Sequence, residues 1–154
     1  MNYSFLDIEA FASRFYGGSK LLITPYAYNL TFLALAQNTS ATQTLNIAAN
    51  ADFIFLSARA RAQIGAAQTL DGITAPFVRM LLIDSGSGEQ FTQQPVDLLN
   101  YASNPRCEHN LPYPRIIAGK STLTVTVTNY APTAETYTTL DVMLEGVQVR
   151  AYNG

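Results

Sequence analysis

The sequence predicts an all-β protein: an antiparallel β-sandwich, with a jelly roll as the favoured topology, preceded by a short N-terminal arm or helix. From Leu21 onward apolar and polar side chains alternate with a period of two. Turn residues separate these runs, and no stretch between them has the period of a crossover helix. About seven or eight strands and a long connection favour a jelly roll over an immunoglobulin-like sandwich. We therefore divide the chain into an arm at residues 1–20 and a sandwich domain at residues 21–154.

The N-terminal arm has helical rather than strand periodicity. Four large apolar side chains recur at three- or four-residue spacing: Phe5, Ile8, Phe11 and Phe15. This spacing predicts a short amphipathic helix or an apolar arm, with Asp7 as its N-cap and Gly17-Gly18 as its end and hinge. Four such side chains need cover, which either the arm's own domain or a neighbouring subunit can provide.

The first half of the sandwich shows three alternating runs. In residues 26–36, one face carries Tyr28, Leu30, Phe32, Ala34 and Ala36. Residues 37–40 form a turn, and alternation resumes at residues 44–49 and again at residues 53–62. Residues 63–75 are predicted to be loop, because they contain Gly65 and the pair Asp71-Gly72.

The second half begins with an apolar run at residues 76–83 and a turn at residues 84–89. Residues 90–99 read as a weak strand or an extended loop, and residues 100–115, which hold three prolines, as a long connection. The clearest strand spans residues 123–128, where three apolar side chains alternate with three threonines. The last strand is predicted at residues 138–150, with Gly146 as a β-bulge.

Charge is scarce in this sequence. Charged residues make up 13% of the chain, against about 25% in an average soluble domain. Since the cores of protein interfaces are depleted in charge, this composition favours extensive contact with other subunits; a threonine-rich sandwich is the simpler alternative. The nine basic residues are scattered, which argues against a nucleic-acid partner. No apolar run is long enough to span a membrane, and no signal peptide is recognisable, so we expect synthesis in a cytoplasm.

Few residues are suited to chemistry. The chain has one cysteine, Cys107, and one histidine, His109, which excludes an intrachain disulfide and leaves a thiolate–imidazole pair as a remote alternative to an ordinary loop. Residues 84–89, DSGSGE, lack the ligand spacing of a calcium loop and are better explained as a hairpin turn capped by Asp84. We expect neither an enzyme, nor a cofactor, nor a metal site.

Several short motifs resemble a group of small structural proteins of tailed bacteriophages. These are NIAANADFIFLSARARA at 46–62, DSGSG at 84–88, PVDL at 95–98, PYPR at 112–115, AGKSTLTVTVTN at 118–129 and LEG at 144–146. The resemblance covers roughly residues 21–152 and leaves out the arm. It implies a jelly-roll-like sandwich on the capsid surface of a virion, a cement or decoration protein that clamps major capsid subunits, often as a homotrimer. It implies no catalytic residues.

Alternatives to this function are a tail, collar or fibre-base component and a carbohydrate- or receptor-binding module. The latter would draw on the nine tyrosines, although the chain has no tryptophan. The residues we expect at partner contacts are large apolar or cationic side chains of the arm, the third run and the long connection: Phe5, Phe11, Phe15, Arg59, Arg61, Arg106, His109 and Tyr113.

Overall fold

The computed structural model describes residues 3–17, 21–64, 76–98, 102–103, 110–132, 134 and 136–151. These residues form one helix and nine strands: α1 (Phe5–Phe15), β1 (Leu21–Leu35), β2 (Ser40–Asn46), β3 (Asp52–Ile64), β4 (Val78–Asp84), β5 (Val96–Asp97), β6 (Ala102–Ser103), β7 (Asn110–Ile117), β8 (Thr122–Asn129) and β9 (Tyr137–Ala151). The predicted all-β sandwich with a short N-terminal helix is therefore confirmed.

The strands form two sheets. In the first, β9 lies between β1 and β3, and the far edge of β3 carries β7 and the two-residue β6. The second has the order β2-β8-β4-β5. Without β6 the orders are β1-β9-β3-β7 and β2-β8-β4-β5, and consecutive strands alternate between the sheets except at the β4–β5 hairpin. This is the strand order of a jelly roll.

The core lies between the two sheets, and the period-two runs supply it. In β8, Leu123, Val125 and Val127 are completely buried, while the intervening threonines point outward. Two of these threonines pair through their hydroxyls with β2, Thr126 with Thr42 at 3.0 Å and Thr128 with Ser40 at 2.7 Å. The alternation in the sequence thus separates a dry face from a hydroxyl-lined outer face.

Two strand predictions need correction. Residues 100–115 were expected to form a long connection, yet residues 102–103 form β6 and residues 110–115 belong to β7. The strand tolerates Pro112 and Pro114 because, among the described strands, it pairs with β3 alone and so lies at a sheet edge. In β1, Ala34 was expected to face the core. It is exposed with φ +53°, and this turn of the backbone buries Leu35 in its place.

A β-bulge lies near Gly146, but on the partner strand. Phe55 pairs with Gly146 and Ser57 with Glu145, so Leu56 of β3 is the extra residue. Gly146 is required for a different reason: a Cβ there would lie 1.9 Å from the carbonyl oxygen of Ile54. The predicted bulge was therefore placed on the wrong strand, and Gly146 permits the close approach of the two backbones.

Tyr130, which follows β8, connects to β5 at the edge of the second sheet through its side chain. Its hydroxyl donates a hydrogen bond to the carboxylate of Asp97, and the guanidinium of Arg79 lies 4.6 Å from the centre of its ring. The bond to Asp97, followed by burial, raises the pKa of Tyr130 to about 12. The short strand β5 is thus held by a side-chain hydrogen bond as well as by its two-residue ladder with β4.

We expect Gly146→Ala to lower the free energy of unfolding by about 3 kcal/mol, because the new methyl group forces β3 and β9 apart. Gly88→Ala is the matched control: Gly88 has φ +73° and open space around it, so only backbone strain of about 1–2 kcal/mol should appear. Denaturant unfolding measures both. Equal losses in the two variants would contradict the close approach at Ile54.

We expect the free energy of unfolding to fall between pH 10 and about 12 by more in the intact protein than in Tyr130→Phe. The folded state holds the phenol proton more tightly than the unfolded chain, so this contribution is complete below pH 10 and is lost as the pH rises through the folded pKa. Denaturant titrations at several alkaline pH values test this. Parallel curves for the two proteins would show that the bond to Asp97 does not stabilise the fold.

Candidate assembly interface

The helix α1 begins at a capping box. Ser4 is the N-cap, its hydroxyl accepts the N–H of Asp7, and the carboxylate of Asp7 accepts the N–H of Ser4. Asp7 was expected to be the N-cap itself; it lies three residues later, and these bonds from Ser4 lower its pKa. The reciprocal bonds fix where an 11-residue helix starts, which a helix this short needs because it is marginal in isolation.

One face of α1 packs on the sandwich domain of the same chain. Ala12 is completely buried, with Ile8 and Phe11 beside it, over Ile54 and Val147. These residues belong to the outer face of the first sheet, on the side of the bulge nearer the helix. The helix thus covers apolar side chains that the sandwich alone would leave in water.

A side-chain hydrogen bond connects the C-terminal end of the helix to the first sheet. The hydroxyl of Tyr16, the C-cap residue, donates to Asp52 at 2.5 Å, and the same carboxylate accepts the N–H of Gly119 at 2.7 Å. Burial, followed by the bond to Asp52, raises the pKa of Tyr16. At the other end, the hydroxyl of Tyr3 donates to the carbonyl of Leu111 in β7. The helix is therefore held at both ends.

Three large apolar side chains of the helix remain exposed. Phe5, Leu6 and Phe15 are 61%, 74% and 60% exposed. Single exposed apolar residues are ordinary on protein surfaces, but an 11-residue helix that exposes three large ones, two in its first turn and one at its last residue, offers more apolar surface than that. We call Phe5, Leu6 and Phe15 the helix patch.

A groove of about 880 Å³ runs between α1, the 84–89 turn and β7. Phe11, Phe15 and Ile116 provide apolar walls, and six charged residues surround them: Asp7, Arg14, Asp52, Asp84, Glu89 and Arg115. The groove therefore continues the apolar surface of the helix patch toward β7.

The carboxylates of this groove serve local structure. Asp84 accepts the N–H of Gly86 at 2.9 Å and the hydroxyl of Ser87 at 3.1 Å, as expected for a residue that caps its turn. Glu89 forms an ion pair with Arg115 at 3.5 Å. Within the described ranges, no group of three or more potential metal ligands occurs.

Arg59 and Arg61 lie on the same outer face as the helix, beyond the bulge. The Nε of Arg59 is 3.0 Å from Glu145, and Arg61 lies opposite Asp141, which accepts a 2.7 Å hydrogen bond from Thr31. With side chains 57% and 31% exposed, the Arg59–Glu145 pair contributes at most about 1 kcal/mol. This half of the face is a polar strip with alternating charge signs.

The structure brings some predicted contact residues together and separates others. Phe5 and Phe15 share the helix patch, whereas Phe11 faces its own sheet and Arg59 and Arg61 lie beyond the bulge. Arg106 and His109, like Cys107, lie outside the described residues. Tyr113 belongs to β7, but its side chain is outside the described part as well. Partner contact at each of these residues stays a prediction.

Sequence reasoning missed three exposed apolar side chains on β1. Leu22, Tyr26 and Leu33 are 44%, 45% and 71% exposed. The signal was present, because residues 21–35 contain no Asp, Glu, Lys or Arg. It was not recognised because it becomes informative only when the strand is known to lie at an edge.

No protein-family model matches the chain, and no curated protein matches it. In the described part, no helix is both long and apolar enough to cross a membrane.

We expect Tyr16→Phe to lower the free energy of unfolding by about 1–2 kcal/mol, because it removes a hydrogen bond to a carboxylate. Amide hydrogen exchange across residues 5–15 should accelerate more than exchange in β8. The control is Tyr26→Phe, since Tyr26 packs through its ring against Tyr28. If both variants exchange at the rate of the intact protein, Tyr16 does not hold the helix in place.

Proposed function

We propose that this chain is a virion structural protein, a cement or decoration protein that binds and stabilises the major capsid lattice of a tailed bacteriophage. The observation that carries this proposal is the helix patch: a helix capped at its start, packed through Ala12 and tied down by Tyr16 still exposes Phe5, Leu6 and Phe15. These side chains are held on a helix that is itself fixed to the sandwich, which lowers the entropic cost of binding another protein surface.

The jelly-roll strand order supports this reading, because capsid proteins are among the users of that architecture. The resemblance of residues 21–152 to phage structural proteins points the same way. Burial of one large apolar side chain contributes about 1.5–3 kcal/mol, so three per subunit give a modest single contact. When linked subunits bind a lattice at several sites together, modest single contacts give a high overall affinity.

We propose that the subunits act as homotrimers on the outer surface of the head, since a trimer matches the local three-fold axes of an icosahedral lattice. The partners are then the major capsid protein and the chain's own copies, and the protein acts by binding rather than by catalysis, without a cofactor. A tail, collar or fibre-base component could use the same helix patch, and its position in the particle distinguishes the two.

We expect the double variant Phe5→Ser/Phe15→Ser to fold but to bind shells of its own virus at least tenfold more weakly, because it removes two exposed aromatic contacts without touching Ala12. Phe77→Ser is the control: Phe77 is 44% exposed and lies next to Tyr130, away from the helix. Co-sedimentation with shells that lack the protein measures binding, and circular dichroism verifies the fold.

These substitutions are preferable to deletion of residues 1–17, which would also uncover Ile54, Val147 and Val149. Unchanged co-sedimentation of the double variant would refute a role for the helix patch. Labelling of the chain on tails rather than heads in electron micrographs would replace the cement function with the tail alternative.

A further inference from the structure

The strand β1 is a long, uncharged sheet edge. It has 15 residues, and in the described part of the chain it pairs with β9 on one side and with no strand on the other. Soluble proteins normally protect such an edge with charged residues, proline, a bulge or a covering segment, since its free N–H and C=O groups can pair with another chain. The run carries no charge at all, and Pro25 at one end is its one proline, so neither charge nor proline protects residues 26–33.

Two side-chain features show which backbone groups face this open edge. The amide of Gln43, from the neighbouring edge strand β2, donates to the carbonyl of Thr31. In an antiparallel ladder the N–H and C=O of one residue point to the same side, and successive residues alternate. The odd residues around Thr31, including Ala27 and Asn29, therefore direct their backbone groups away from β9. Pro25 falls in the same set, where its missing N–H costs no bond to β9.

The usable edge has a definite length. At one end Pro25 cannot donate a hydrogen bond. At the other end Ala34, with φ +53°, turns the backbone out of the extended conformation. Residues 26–33 lie between these two limits. Leu33 and Tyr26, near its two ends, are among the most exposed large apolar residues of the sandwich, at 71% and 45%.

We propose that residues 26–32 of β1 pair antiparallel with the same segment of a second copy of this chain, about a two-fold axis at Asn29. In this register Asn29 lies opposite Asn29 of the second copy, and Ala27 opposite Thr31. The N–H of Ala27 then replaces the Gln43 amide at the carbonyl of Thr31, and the first sheet continues across the axis into its counterpart.

The strand's own sequence favours a second copy as the occupant. A charged residue on the two-fold axis would face the same charge in the other copy, which destabilises the pairing, and β1 has no charged residue. The proposed register sets the exposed side chain of Leu33 opposite Pro25, which is also exposed, so an exposed apolar side chain at each end of the pairing meets an apolar residue of the other copy. This contact is isologous, as a two-fold axis requires.

This inference goes beyond the proposed function and does not rest on it, because the contact can be measured in solution without a virion. If the chain is also a trimer, three such edges per trimer would link it to neighbouring trimers. The two proposals fail separately: loss of edge pairing leaves the helix patch untouched.

The test uses the full chain and two charge variants at the axis, Asn29→Lys and Asn29→Asp. Asn29 is exposed, so both variants should fold. Analytical ultracentrifugation over a range of concentrations should show that each variant alone has half the mass of the intact protein. Its self-association should be at least about fivefold weaker, because like charges meet across the axis. An equimolar mixture of the two should regain the full mass, since Lys then faces Asp.

Gln93→Lys is the matched control. It adds the same charge at an exposed residue next to β5, at the opposite edge of the second sheet from β2, and should leave the mass unchanged. Full mass in Asn29→Lys alone would overturn the proposal, as would failure of the mixture to recover. An intact protein with no self-association would also overturn it, even if Asn29→Lys lost binding to shells, because the occupant of the edge would then be a different protein.

Discussion

The close approach of β3 and β9 at Gly146 is the constraint on which the outer surface of this protein depends. A side chain at Gly146 would collide with the backbone of Ile54, and directly beside this contact β3 accommodates the extra residue Leu56. On one side of the bulge the outer face of the sheet is apolar, with Val147 and Val149. On the other side it carries the polar strip with Arg59 and Glu145. A strand without the bulge would continue one alternation throughout and would turn Ala58, which is completely buried, away from the core.

The position of the helix follows from this division. An apolar half-face needs cover, and α1 supplies it with Ala12 at the centre of the contact and Tyr16 at its end. The carboxylate of Asp52 that accepts the hydroxyl of Tyr16 also accepts the N–H of Gly119, so the turn before β8 is connected to the helix. The helix buries Ala12 on this half-face, while Phe5 and Phe15 remain exposed.

Sequence reasoning succeeded where one local pattern was sufficient. The alternation around Val125 identified β8 and its buried face because the two faces of that strand differ in every residue. It failed where the outcome depends on distant partners. Pro112 indicated a loop because the edge position of β7 could not be known, and Gly146 indicated a bulge whose extra residue belongs to a strand about ninety positions earlier. Phe5 and Phe15 could be identified from helical spacing, whereas the pairing of Arg59 with Glu145 requires the register of β3 and β9.

The strand order shows where the strands without charged residues lie in the sandwich. The strands β1, β2 and β8 contain no charged residue, while β3, β4 and β9 carry arginines and carboxylates. Since β1 and β2 are the edges of their sheets and the side chain of Gln43 joins them, the uncharged strands gather on one side of the sandwich. Charged residues on an edge strand oppose pairing with other chains. Because the edge strands β1 and β2 have none, such pairing is possible on this side of the sandwich. If the low charge reflected only a threonine-rich sandwich, the few charged residues would be expected to be spread evenly over the strands. Their absence from one side instead favours a protein whose edges are covered by neighbouring subunits.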